Sequence, residues 1–312
     1  MPDTTHYTPL RDARSSFTPL RGLRYHVNLW GDASLATLEQ PPLVLLHGWM
    51  DVGASFQFFV DALEATAAAG RWVLAPDWRG FGLTEAPRAD TYWFPDYLAD
   101  LDQLLDALVP GTAVDMIGHS MGGNVAMSYA GLRPARIRRL VNLEGFGLPE
   151  TSPVQAPKRL LQWMDELKSP AQLRSYDSVQ AVAERLLKNN PLLTPDKAAW
   201  LAPHWSQARD GPGEDGRWHV LGDPAHKHVN PVLYRKDEVL ETWKRIAAPL
   251  LWVEGDQTDV TKWWGHRYPR ADFEARLALV PNVERETLSP CGHMLHHDQP
   301  EALARRVAAF LG

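Results

Sequence analysis

The sequence predicts an α/β protein with a doubly wound, mostly parallel sheet and an inserted helical subdomain. Apolar runs of strand length alternate with helical periodicity over residues 43–143, and the alternation resumes at residue 249. Uninterrupted apolar strands are typical of a parallel sheet that helices cover on both faces. Residues 145–248 lie between these stretches, and a structureless connection of that length is rare in a compact domain, so we expect a helical cap there.

The periodicity predicts the elements in chain order. Residues 1–15 are expected to form a loosely held, flexible tail, and a β-hairpin follows around Arg21 and Gly22. Strands are predicted at 43–46, 72–75, 114–117, 140–143, 250–253 and 283–288, and helices at 56–68, 97–108, 121–132 and 300–311. The core is therefore assigned to residues 16–144 and 249–312, and the cap to residues 145–248.

The cap sequence is rich in tryptophan. These side chains could line an apolar cavity above the sheet, or they could form a small core of the cap itself. They are Trp163, Trp200, Trp205, Trp218 and Trp243.

Composition excludes several classes of function. The net charge is −6, and the sequence has no basic stripe of the kind that binds the phosphates of nucleic acid. No apolar run approaches the ~20 residues that span a bilayer. The N-terminal residues are polar and lack the apolar segment of a secretory signal, so we expect a cytoplasmic protein without membrane insertion. The single cysteine, Cys291, rules out an intrachain disulfide.

A nucleophile motif follows the strand predicted at 114–117. The run Gly118-His119-Ser120-Met121-Gly122 has the pattern G-x-S-x-G and precedes a predicted helix. Glycines at these positions allow a tight strand-to-helix turn that exposes the serine hydroxyl. Ser120 is therefore the predicted nucleophile.

A serine nucleophile needs a base and donors for the oxyanion. His293 follows the last predicted strand, where a loop would bring its imidazole to the edge of the sheet. The N–H of Met121 begins the helix after Ser120, and the N–H of Trp49 lies in the loop after strand 43–46. We predict His293 as the base and these two N–H groups as the oxyanion donors.

Together these motifs resemble the serine hydrolases of the α/β-hydrolase fold that carry a helical cap. The matching pieces stand in the family's order: His47-Gly48-Trp49, Asp77-Trp78-Arg79-Gly80-Phe81-Gly82, the Ser120 motif, and Gly292-His293. The resemblance implies a triad in the chain order nucleophile, acid, histidine. A serine at the nucleophile position argues against the epoxide hydrolases and haloalkane dehalogenases, which use aspartate there.

The position of the acid departs from the family's common pattern. Most relatives place it after the strand that follows the cap, but the expected position here is Thr258, flanked by Asp256 and Asp259. A second location known in the family is the end of the strand before the cap, where this chain has Glu144. We rank Glu144 first, Asp256 second and Asp259 third. Each could instead be a hydrogen-bonded carboxylate that braces a loop.

The predicted reaction is hydrolysis of an ester-like bond in a small apolar or aromatic molecule, through an acyl-enzyme. Trp49, His119 and Phe146 are the predicted substrate contacts. Cleavage of a carbon–carbon, amide or lactone bond remains an alternative, as does a non-catalytic ligand-binding protein of the same fold. We expect no cofactor and no metal, because the histidine pairs have no cysteine or carboxylate nearby in sequence that completes a ligand set.

Overall fold

A computed structural model describes residues 6–169, 171–209 and 216–312. Its main sheet has eight strands in the order β1-β2-β4-β3-β5-β6-β10-β11. The hairpin β1–β2 is antiparallel and β2 pairs antiparallel with β4, whereas the pairs from β4 to β11 are parallel. The strands are β1 Arg14–Leu20, β2 Leu23–Trp30, β3 Leu43–Leu46, β4 Val73–Pro76, β5 Val114–His119, β6 Ile137–Leu143, β10 Leu250–Gly255 and β11 Val283–Leu288.

Helices cover both faces of this sheet, as the apolar strands predict. The core helices are α1 Gln57–Leu63, α2 Phe94–Leu108, α3 Met121–Leu132, α8 Thr261–Trp264, α9 Arg270–Leu277, α10 Leu295–Asp298 and α11 Pro300–Leu311. One apolar core packs α2, α3 and α9 against alternate strand residues such as Met116 and Trp252. The second apolar core packs α1 and α11 against the strand residues that alternate with those of the first core, such as Ile117 and Val253. Alternation along each strand therefore divides its side chains between two cores.

The segment between β6 and β10 contains α4 Ala156–Lys168, α5 Val179–Asn189, α6 Pro195–Trp205 and α7 Lys236–Trp243. It differs from the helical cap that we expect in also holding a small antiparallel sheet in the order β7-β9-β8. Its strands are β7 Ser175–Tyr176, β8 Ser206–Arg209 and β9 Arg217–Val220. These strands are short and largely polar, so they lack the apolar runs by which the core strands are recognised.

The tryptophans of this segment do not surround a single cavity. Trp243 is buried in the core that contains α3, and the Trp205 indole N–H donates to the Met50 carbonyl at 3.0 Å. A cavity of about 410 Å³ is lined by Trp200, but neither Ser120 nor His293 lines it. The cap tryptophans therefore mainly join this segment to the core.

The N-terminal segment is held against α1. Residues 1–5 lie outside the described residues, and β1 already begins at Arg14. The Tyr7 hydroxyl and the Leu10 and Arg11 N–H groups all donate to the Asp61 carboxylate. The Tyr7 ring packs edge-on against Phe58 at 4.9 Å and Trp200 at 5.5 Å between centroids. Residues 6–13 therefore differ from the loose tail that composition suggests, because one buried carboxylate anchors them.

Within the described residues, no helix combines the length and the apolar composition needed to cross a bilayer.

Candidate active site

Ser120 lies on a strained turn between β5 and α3. Its φ of 52° and ψ of −114° fall where a side chain is rarely tolerated. The turn depends on its glycines: a Cβ on Gly122 would lie 2.1 Å from the Leu46 carbonyl oxygen, and one on Gly118 would lie 2.4 Å from the Gly122 oxygen. The Ser120 N–H donates to the Leu143 carbonyl at 2.8 Å, which ties the turn to β6. The G-x-S-x-G pattern therefore forms the strand–turn–helix that its sequence predicts.

His293 lies in the loop between β11 and α10 and contacts Glu144. Its Nδ1 is 2.6 Å from Glu144 Oε2. When Nδ1–H donates to the carboxylate, Nε2 keeps its lone pair and can accept a proton. The His293 carbonyl accepts a hydrogen bond from His119 Nε2 at 2.8 Å, which holds the loop against the end of β5.

Glu144 directly follows β6, and its backbone has a φ of 54°. The side chain is buried, and its Oε1 accepts the Gly255 N–H at 2.8 Å. Burial raises the pKa of Glu144 and lowers the pKa of His293, since both lose contact with water. The neutral imidazole is the form that can act as a base.

The two alternative acids, Asp256 and Asp259, form hydrogen bonds with groups other than His293. Asp256 accepts hydrogen bonds from the Ser289 hydroxyl and the Cys291 N–H, and Asp259 accepts from the N–H and hydroxyl of Thr261. Both therefore brace the loops in which they lie. Among the three carboxylates, the structure brings only Glu144 into hydrogen-bond contact with His293.

The loop after β3 passes beside the Ser120 turn. A Cβ on Gly48 would lie 3.2 Å from Ser120 Cβ, so a side chain there would crowd the turn. His47 fixes the loop: its Nδ1 donates to the Gly48 carbonyl, and its Nε2 accepts the Trp78 N–H at 2.9 Å. Within the described part of the chain, the N–H groups of Trp49 and Met121 have no hydrogen-bond partner. Two N–H groups without a partner therefore lie in the turn of Ser120 and in the loop beside it.

A family model for the α/β hydrolase fold matches residues 41–300, which is most of the chain. The chain belongs to the α/β-hydrolase family. The sn-1-specific diacylglycerol lipase ABHD11 of Xenopus laevis is 40% identical over 279 residues, covering 87% of this chain and 80% of that protein. A serine hydrolase-like protein of Dictyostelium discoideum is 24% identical over 299 residues, covering 93% of this chain and 79% of that protein. A thioesterase domain from the curacin biosynthetic pathway superposes with a TM-score of 0.78 at 25% identity, covering 95% of this chain and 99% of that one.

Two of the predicted substrate contacts in this α/β hydrolase are buried. The Phe146 ring is 4% exposed and packs at 5.0 Å between centroids against both Trp252 and Phe273, so it belongs to the core. The His119 ring is 2% exposed and lies behind His293. Both side chains therefore offer little exposed surface, and their contact with a substrate stays a prediction.

Trp49 and Trp263 offer apolar surface at the site of the hydrolase. Trp49 follows Gly48 and is 52% exposed, and Trp263 in α8 is 42% exposed. The Trp263 ring lies 4.5 Å from the His293 ring between centroids. The sequence reasoning missed Trp263, because it lies in a four-residue helix whose place beside His293 depends on the tertiary fold.

The sequence reasoning also missed a group of polar side chains behind the hydrolase site. His296 and His297 lie in α10, and both are buried. The fold brings Asp51, which is distant in sequence, to His296 and His119. No sequence spacing signals this group, because its members come from a loop, a strand and a helix that are distant in sequence.

Proposed function

We propose that this hydrolase cleaves carboxylic ester-like bonds with Ser120 as nucleophile, His293 as base and Glu144 as the acid. The observation that carries the proposal is the contact of His293 Nδ1 with Glu144, in a protein whose Ser120 occupies a strained turn. The family and its relatives indicate an enzyme of the hydrolase type, so a non-catalytic binding protein is not favoured.

In the proposed reaction, His293 Nε2 accepts the Ser120 proton as the serine oxygen attacks the carbonyl carbon. The Glu144 carboxylate stabilises the imidazolium that forms, and the N–H groups of Trp49 and Met121 donate to the oxyanion. The imidazolium then protonates the leaving alcohol. Water, deprotonated by the same imidazole, hydrolyses the acyl-enzyme.

An apolar acyl group is supported by the exposed indoles of Trp49 and Trp263. Such surface near a polar reaction centre favours an apolar substrate over a charged one. The likeness to a protein named a diacylglycerol lipase agrees with an ester that carries an apolar chain. Amide, lactone and carbon–carbon bonds are less favoured because neither observation points to them.

Two measurements test the proposal. A fluorophosphonate probe should label the wild-type protein once, at Ser120, and should not label Ser120→Ala at that position. A panel of nitrophenyl esters from acetate to long chains should show turnover that increases with acyl length over the first members. If Ser120 is not labelled, the assignment of Ser120 as the nucleophile is wrong. If Ser120 is labelled but the protein turns over only amides, the assignment of an ester-like bond is wrong.

A further inference from the structure

Three buried side chains behind His293 could together hold a metal ion. Asp51 lies in the loop after β3, His119 ends β5 and His296 lies in α10. Their ligand atoms, one from each residue, lie within 4.8 Å of one another. One carboxylate oxygen and two imidazole nitrogens form the kind of three-residue set that binds Zn²⁺ with a position open for water.

His119, a member of this group, has a buried ring nitrogen without a hydrogen-bond partner. Its Nε2 donates to the His293 carbonyl at 2.8 Å, so the neutral ring has its lone pair on Nδ1. This Nδ1 has no hydrogen-bond partner in the described part of the molecule, although the ring is 2% exposed. A buried acceptor without a partner is costly. Metal-bound imidazoles commonly donate their other N–H to a backbone carbonyl, and His119 already does so.

His296 and Asp51 complete the set. His296 Nε2 lies 3.2 Å from Ser55 Oγ and 3.7 Å from Asp51 Oδ2, and the ring is fully buried. Burial lowers the pKa of His296 well below its ordinary value, so the ring is neutral, as a metal ligand must be. Among the described residues, no lysine or arginine forms an ion pair with the Asp51 carboxylate. A cation would therefore supply charge that the protein does not.

We propose that Asp51, His119 and His296 bind a divalent transition-metal ion of the zinc class, and that this ion inhibits the hydrolase. Tetrahedral Zn²⁺ places its nitrogen and oxygen ligands about 3.3 Å apart, so separations of up to 4.8 Å in this group must shorten by up to about 1.5 Å.

Inhibition follows from the position of the site and depends on the proposed function. The His119 and His293 rings lie 4.7 Å apart between centroids. His119 Nε2 also donates to the His293 carbonyl, so the loop that holds His293 is bound to one of the metal ligands. When the group contracts around the ion, the His119 ring moves, and this hydrogen bond shifts the His293 loop away from its position beside Glu144. The base is therefore misplaced without any change at the serine.

Binding is tested without reference to activity. Equilibrium dialysis of the purified full chain against ZnCl₂ should give one Zn²⁺ per chain, and CoCl₂ should give the visible absorption of four-coordinate Co²⁺. His296→Gln and the isosteric Asp51→Asn should each weaken zinc binding about tenfold or more. His266→Gln, which removes an exposed histidine outside the group, should have no effect.

Each outcome decides the assignment. A wild-type chain that binds no zinc overturns the site whatever the variants do. Wild-type affinity in both Asp51→Asn and His296→Gln, with melting curves that show folded protein, assigns the zinc elsewhere and overturns the site as well. A variant that fails to melt cooperatively is set aside, and the other then decides.

Inhibition is measured on nitrophenyl acetate. One equivalent of bound zinc should lower kcat about tenfold or more, and a chelator should restore it, while Asp51→Asn should lose this sensitivity. Zinc that binds without slowing turnover overturns the inhibitory role alone. If the chain has no esterase activity, the proposed function fails, and dialysis still reports on the metal site.

Discussion

Two groups of serine, histidine and carboxylate in the described part of the chain, one at Ser15 and one at Ser120, show how the proposed nucleophile differs from an ordinary serine. In the hairpin, Ser15 Oγ lies 2.6 Å from His26 Nε2, and His26 Nδ1 lies 2.7 Å from Asp77 Oδ2. This chain of contacts has the connectivity of a catalytic triad. The set around Ser120 differs from it in backbone and in charge.

The backbones differ first. Ser15 lies in the regular strand β1, opposite Asn28 of β2. Ser120 has a φ of 52° and stands at the N-terminus of α3, beside the free N–H groups of Met121 and Trp49. In the proposed reaction, N–H groups without a partner are available to bind the oxyanion at Ser120. The backbone of β1 around Ser15 instead pairs with β2 in the sheet. Hydrogen bonds between side chains are therefore not enough to define an active serine.

The acids differ as well. Asp77 accepts hydrogen bonds from His26 and from the N–H groups of Gly53 and Leu83. Although burial favours its neutral form, the bond from His26 contributes to a net lowering of the pKa of Asp77. Burial instead raises the pKa of Glu144, which accepts one backbone N–H. A carboxylate with fewer donors gains more when its histidine becomes charged, as the reaction at His293 requires.

The largest expected effect separates the two serines. Ser120→Ala should lower turnover of nitrophenyl esters by roughly four to six orders of magnitude, because it removes the attacking oxygen. Ser15→Ala should retain wild-type turnover and probe labelling. Equal losses in the two variants, measured as kcat on folded protein, would show that the comparison is wrong.

The next effect separates the acids near His293. Glu144→Gln should lower kcat by roughly three to four orders of magnitude, because the amide cannot stabilise the imidazolium. Asp256→Asn and Asp259→Asn serve as matched controls and should cost little. A large loss in either control with an active Glu144→Gln would reassign the acid.

Asp77→Asn should lower the free energy of unfolding and leave turnover largely unchanged. The change weakens the bonds to His26 and two backbone N–H groups, so the free energy of unfolding should fall by about 1–3 kcal/mol. Turnover of the folded protein should stay within about tenfold of wild type, and the exposed Asp237→Asn should change neither quantity. Urea unfolding curves together with kcat measure the two effects. A catalytic loss like that of Glu144→Gln at unchanged stability would contradict this assignment.

The smallest effect is a shift in the pH profile. In the proposed mechanism activity needs ionised Glu144, and burial raises its pKa to about 8, so kcat/KM should fall as pH drops through that value. In Glu144→Gln the limb should report His293 instead, and because burial lowers the pKa of His293 to about 4, the limb should move down towards that pH. A limb that stays at the same pH in both proteins would show that another group controls it.

The sequence predicts the core elements well because their signals are local. The apolar run Leu43–Leu46 places β3 at its observed bounds, and Gly118 and Gly122 mark the turn that holds Ser120. Glu144 could be ranked but not chosen, since contact with His293 depends on the packing of β6 against β10. The burial of Phe146 likewise depends on helix α9, which is distant in sequence.

The segment before the sheet has a consequence for motion. Tyr7 contacts Phe58 of α1 and Trp200 of α6 at once, while its hydroxyl is bound to Asp61. Any movement of α6 away from α1 must first separate the Tyr7 ring from one of these partners. Residues 7–11, which belong to neither layer of the core, thus link α1 to α6, and part of the barrier to separating these two helices lies in them.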